Sequence, residues 1–217
     1  MRITVIGASA GTGREVVEQA VARGHKVVAV SRRGCDVDGA VNVPGDALDP
    51  RVLSITLHGC EAVVICVGGA PDDDRFRTRV TRAVIDTIDG RDVRLVVESS
   101  LGVGESARLM SPPARFFGRS ALKRALADHA DQEAVARVSG LRYTIVRPGN
   151  LTDHRATGRV STGGPGFVPR ISRADVAAFI LDAIEEDGAD EQEFNVGSGT
   201  AATASTAAAV SGLKRAQ

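Results

Sequence analysis

Along most of the chain, short unbroken apolar runs alternate with stretches where apolar residues recur every third or fourth place. Residues 3–6 are the first run, and Gly7 ends it. Residues 13–23 then set Val16, Val17, Ala20 and Val21 on one helical face, and Gly24 closes the segment. Further runs lie at 26–30, 62–67, 94–97, 143–146 and 193–196. Between them, helical spacing predicts helices over 79–88, 120–139 and 173–186. In 79–88, Val80, Ala83, Val84, Thr87 and Ile88 turn inward.

Continuous β-branched runs separated by amphipathic helices predict a parallel sheet covered on both faces. With right-handed crossovers the fold class is α/β, a doubly wound parallel sheet of the Rossmann type. A single domain is expected over residues 1–197. It would include a small substrate-side region near its C-terminal end, followed by an Ala- and Thr-rich tail over 198–217 that forms a weak helix or frays. Two long loop-like stretches, 101–118 and 152–170, are candidate covers for a site. In such sheets ligands bind beyond the carboxyl ends of the strands, so the residues just after each apolar run matter most.

Composition narrows the function classes. The 217 residues carry 27 cationic and 27 anionic side chains, so no net positive field gathers nucleic acid or an anionic membrane. The basic stretch Arg75, Arg77, Arg79 and Arg82 has no interleaved aromatics, in a chain with six Phe, one Tyr and no Trp. Cys35, Cys60 and Cys66 are odd in number and irregularly spaced. They suggest neither a disulfide framework nor a metal site, and a cytoplasmic location is expected. The longest apolar run falls far short of a membrane span. The expected partner is a small molecule, and the protein itself is expected to be a monomer or homodimer.

Candidate chemistry begins with Gly7-Ala8-Ser9-Ala10-Gly11-Thr12-Gly13, placed between the first strand and first helix. In that context the glycines read as a dinucleotide site. Gly7 allows the tight turn, Gly11 lets backbone approach a pyrophosphate, and Gly13 permits close packing of helix on strand. The helix N-terminus supplies unpaired N–H groups and a positive dipole. The second strand ends in Ser31-Arg32-Arg33, with no carboxylate before Asp36. Two guanidiniums and a hydroxyl suit a 2′-phosphate, so the expected cofactor is NADP(H). Asp46 either accepts from the adenine amine or forms a turn before Leu48.

The chain resembles the short-chain dehydrogenase/reductase superfamily, and most of all its atypical branch: proteins akin to biliverdin/flavin reductase and nitrogen-metabolite-repressor-like proteins. The residues that carry the resemblance are those at 7–13, 31–33, 45–46, 98–104, 139–153 and 171–177, above all Arg147-Pro148-Gly149. The resemblance implies that Gly7, Ser9, Ala10, Gly11, Thr12 and Gly13 line the pyrophosphate. Arg32 and Arg33 would face the 2′-phosphate, and Asp46 and Ala47 would flank adenine. Val67, Gly68 and Gly69 would pass the adenosine ribose. Ser99 and Ser100 would lie by the nicotinamide, with Pro148, Gly149, Asn150 and Leu151 on its carboxamide side.

The sequence departs from the superfamily at the Tyr-x-x-x-Lys pair. Ala125 and His129 occupy those places, and the single tyrosine, Tyr143, falls in a later strand. Ser99, Ser100 and His129 are therefore the catalytic candidates, with His129 either a proton donor titrating near neutrality or a cofactor-ribose contact at the vacated Lys position, or else a surface pair with Glu133. His25 and His58 read as structural, His154 as a pocket candidate, Cys66 as a packed thiol, and Asp72-Asp73-Asp74 as a solvated cap. Two functions are compatible with this pattern. One is an NADPH-dependent oxidoreductase passing hydride to a conjugated acceptor such as a flavin or quinone. The other is a non-catalytic NADP(H)-binding sensor or regulatory or assembly protein.

Overall fold

In the computed structural model the described residues are 1–110, 122–164, 166–186 and 188–199. Seven strands run parallel in one sheet: β1 (Arg2–Ile6), β2 (Lys26–Ser31), β3 (Ala40–Pro44), β4 (Ala62–Ile65), β5 (Arg94–Glu98), β6 (Arg142–Pro148) and β11 (Gln192–Gly199). Their order is β3-β2-β1-β4-β5-β6-β11. The chain winds outward from β1 in one direction, then returns to start β4 on its other side. The ends of β1 and β4 therefore part at the switch in strand order, where open α/β sheets bind ligands.

Burial on both faces explains the unbroken apolar runs. Ile3, Val5, Val27, Ala29, Val64 and Val96 point to one face, against Val16, Val17 and Ala20 of α1 (Gly11–Ala22) and Val176, Ala177 and Ile180 of α5 (Arg173–Glu185). Their sequence neighbours Ile6, Val28, Val30, Val63, Ile65, Leu95 and Val97 point the other way. There they meet Leu53 of α2 (Pro50–Thr56), Val80, Val84 and Ile88 of α3 (Phe76–Ile88), and Ala136 of α4 (Lys123–Arg137). A period of two thus divides each strand between two cores.

The helix expected from Arg79 begins a turn earlier, at Phe76. Its N-terminal amides are satisfied from another helix: the buried Asp128 carboxylate accepts from Arg77 N at 3.1 Å and Thr78 N at 3.0 Å. Asp73 serves a local turn, accepting from Arg75 N at 3.0 Å. Strand β3 and helix α2 carry no long periodic pattern. β3 is a sheet edge with Val41 61% exposed, and α2 is seven residues long. The stretch 152–170 is less irregular than expected. It carries β8 (Val160–Ser161) and β9 (Phe167–Val168), both antiparallel to β11. β7 (Asn150–Thr152) pairs with β10 (Arg170–Ser172) in a separate small sheet. Strands of two or three residues leave no periodicity to read. Residues 104–109 of the other loop form a 3-10 helix, while 111–118 lie outside the described residues. β11 continues to Gly199, two residues into the expected tail, and 200–217 lie outside the described residues.

Candidate functional site

A cleft of about 670 Å³ opens along the carboxyl ends of β1, β2, β4, β5 and β6. Gly7 begins it. Its φ of +93° and the carbonyl of Cys66 against its α-carbon leave no room for a side chain. The N-terminus of α1 follows directly. Ala10, its N-cap, has no side chain able to cap it, and the first turn holds no acid. By contrast Asp49 caps α2 and Ser172 caps α5. The first-turn amides of α1 are thus left for an anion in the cleft, and the helix dipole favours one there.

The cleft gathers nearly all the expected residues. Ser9, Gly11 and Thr12 line the turn. Ser31, Arg32, Arg33, Asp46 and Ala47 form one end, and Val67, Gly68 and Gly69 the middle. Ser99, Ser100, His129, Pro148, Gly149 and Leu151 form the far end. Two do not line it. Gly13 lies beneath, where a Cβ would overlap the carbonyl of Gly7, so its role is packing. Asn150 lines a separate cavity of about 80 Å³ with Leu101, Met110 and Pro169. Gly149 stands close against the backbone of Pro169. His154 is exposed and outside the cleft, while its neighbour Asp153 lines it.

Arg32 and Arg33 are exposed at the cleft end, the placement a phosphate ligand needs. The Ser31 hydroxyl donates to Gly34 O at 2.8 Å, which shapes the turn holding those arginines. Asp46 both lines the cleft and makes the local turn, accepting from Leu48 N at 2.9 Å.

The far end is built differently. The Ser99 hydroxyl donates to Glu133 Oε1 at 2.6 Å. Arg147 clamps that carboxylate with Nε to Oε1 at 2.7 Å and a terminal nitrogen to Oε2 at 2.6 Å. Arg137 adds a contact to Glu133 Oε2 at 2.8 Å, and both arginines also pair with Glu193. The hydrogen bonds from Arg137 hold the Glu193 carboxyl below the usual carboxylate range. Ser99 and Glu133 are buried, so this is a fixed network rather than a surface one.

Two expectations for His129 are corrected. It makes no pair with Glu133; its Nδ1 lies 3.3 Å from Gln132 Oε1. Nor does it titrate near neutrality: burial, aided by the Arg77 charge, lowers its pKa to about 4. The imidazole is neutral at physiological pH and supplies no imidazolium acid.

Four cleft residues of chemical interest were not singled out from the sequence as site residues: Glu98, Arg77, Arg173 and Asp153. Burial pushes the Glu98 carboxyl above its ordinary value, and hydrogen bonding with Thr12 and Cys66 pulls it back. The charges of Arg173 and Arg77 act in the same direction as those bonds. Burial, reinforced by Glu98, pushes the Cys66 thiol well above its ordinary value, which disfavours the thiolate at this cleft position. Glu98 left a readable signal: period two sets this acid on the same face as Val96, toward α1. Arg173 and Asp153 left none, since their contact at 2.6 Å joins two loop-proximal sites 20 residues apart.

The cleft suits a nicotinamide dinucleotide: a glycine turn, an uncapped helix N-terminus and two exposed arginines occur in the right order. Comparison with known proteins agrees. The uncharacterised protein YwnB of Bacillus subtilis strain 168 is 27% identical, with 90% of this chain and 98% of that protein covered. ChuY of Escherichia coli O157:H7, described as an anaerobillin reductase, is 27% identical with a TM-score of 0.76, covering 94% of this chain and 100% of that one. The oxidoreductase ylbE of Lactococcus lactis shares the fold at a TM-score of 0.82 and 17% identity, covering 99% and 97%. With a family model matching residues 7–187, from the glycine turn to just past α5, the chain belongs to the NAD(P)H-binding family.

Proposed function

We propose that the protein is an NADPH-dependent reductase that passes hydride to a small conjugated acceptor such as a flavin or quinone. The observation that carries this reading is the continuity of the cleft. One cavity joins Arg32 and Arg33 to Ser99, Ser100 and Pro148, with the glycine turn between them. A dinucleotide laid along it has its phosphates at the amides of α1 and its reactive end over β5 and β6. When bound, the reduced nicotinamide supplies the hydride. Arg32 and Arg33 hold the 2′-phosphate, Asp46 and Ala47 the adenine, and the ends of β5 and β6 orient the ring. The likeness to ChuY supports a reductase.

The acceptor class follows from the absence, among the described cleft residues, of a tyrosine or a charged histidine. Tyr143 sits at the start of β6, packed against the core under α2, α3 and α4, and does not line the cleft. His129 is neutral. A conjugated ring accepts hydride with little help from a protein acid, whereas an isolated ketone needs one. The same two facts favour a second reading, a non-catalytic NADP(H) sensor.

Titration of NADPH fluorescence, with NADH alongside at fixed salt, tests the cofactor. Tighter NADPH binding is expected, and equal or tighter NADH binding would sink the 2′-phosphate assignment. Steady NADPH oxidation with flavins or quinones separates the reductase from the sensor, which holds NADPH without consuming it.

A further inference from the structure

We infer that Ser99 is a hydrogen-bond acceptor toward the cleft and that it selects the N–H edge of a ring or amide bound there. This deepens the reductase reading and rests on it. A serine hydroxyl has one proton and two lone pairs. Here the proton is committed. Glu133 Oε1, 2.6 Å away, belongs to a carboxylate that can only accept. That carboxylate cannot turn aside, because Arg147 from β6 grips both its oxygens and Arg137 one of them. Glu193 of β11 fixes both arginines in turn. Glu133 is therefore a positioning residue acting through Ser99. Among the described residues Glu133 is the hydroxyl's partner, and Ser99 lines the cleft, so what it offers a ligand is lone pairs.

Donating to a ligand carbonyl would require the hydroxyl to abandon a charge-assisted bond inside a buried network. Such a charge-assisted bond is stronger than the neutral hydroxyl–carbonyl bond that would replace it. The group that fits is an N–H donor. Two sources share that chemistry: the carboxamide of the nicotinamide and a ring N–H of the acceptor, such as N3–H of an isoalloxazine.

The test uses matched probe pairs that differ only in the N–H. For the cofactor, NADP⁺ is compared with 3-acetylpyridine adenine dinucleotide phosphate, whose acetyl group keeps the carbonyl and replaces the amide nitrogen by a methyl. For the acceptor, lumiflavin is compared with 3-methyllumiflavin on the NADP⁺-loaded protein, read by flavin fluorescence. Neither arm needs turnover. The wild-type protein should prefer the N–H member of one pair about five- to tenfold, the scale of one hydrogen bond. Which pair it is identifies the source. Ser99→Ala should bring that ratio close to one, and Ser99→Thr should restore it. Ser99→Ala is expected to fold, because Glu133 Oε1 retains Arg147 Nε at 2.7 Å; a thermal melt checks this. No discrimination in either pair, or discrimination that survives Ser99→Ala, overturns the inference with the reductase reading intact. If NADP⁺ and NADPH both fail to bind, the underlying reading falls and this inference with it.

Discussion

The two ends of the cleft are made of different materials. The end with Arg32 and Arg33 is backbone and exposed side chains: a glycine turn, uncapped amides, and two exposed arginines. Its parts are close in sequence, with Gly7, Arg32 and Asp46 at the ends of three adjacent strands. The far end is a buried ionic network whose members, Ser99, Glu133, Arg147 and Glu193, come from four elements. The first end can be altered with little effect on the fold, except where glycine is packed. At the far end, the fold and the proposed site share the same side chains. A loss of activity there must always be separated from a loss of stability.

The contrast can be broken most severely at the packed glycine. Gly13→Ala puts a methyl against the Gly7 carbonyl. We expect NADPH binding to fall by more than a hundredfold, or the protein to fail to fold; circular dichroism beside the fluorescence titration shows which. Unchanged affinity would remove the glycine turn from the site.

Glu133→Ala comes next. It leaves Arg147 in a buried setting without its main partner, at a cost of about 3–5 kcal/mol. A chain of this size should then melt roughly 10 °C lower. A shift below about 3 °C would show that the network is dispensable.

His129 gives a pH-dependent version of the same effect. Its proton is bound in the unfolded chain below about pH 6.5, but in the folded protein only below about 4. Stability is therefore lost as pH falls through that window, by roughly 3 kcal/mol at its lower end. Urea midpoints at pH 7, 6 and 5 should show this acid limb, and His129→Gln should flatten it. An equally steep limb in the variant would assign it to carboxylates instead.

The smallest change in stability is expected at the end with Arg32 and Arg33. Replacing Arg32 and Arg33 together by Ala should lower NADPH affinity about ten- to hundredfold and leave NADH affinity near its original value. These are exposed sites, so the melting temperature should hardly move. A parallel loss of NADH affinity would mean that the arginines serve the whole dinucleotide and not its 2′-phosphate.

What was legible divides along the same line. The runs at 3–6, 26–30 and 62–67 and the Gly7 to Gly13 turn could be read because their physics is local: period, φ and helix termini. The helix Lys123–Arg137 could also be read, but not what its residues touch. Spacing pairs His129 with Glu133, whereas tertiary packing turns Glu133 to Ser99 and Arg147 and leaves His129 to Gln132.

By itself, then, the sequence determined a doubly wound sheet, the position of the glycine turn, and the ring of strand-end residues that became the cleft. Periodicity and backbone conformation are properties of neighbours along the chain. Only the tertiary structure decided the neutrality of His129, the upward shift of the Glu98 carboxyl, the direction of the Ser99 hydrogen bond, and the exclusion of Asn150 and His154 from the cleft. Those depend on desolvation and on charges brought together from distant positions, 34 apart for Ser99 and Glu133 and 46 apart for Arg147 and Glu193. No local pattern records such distances.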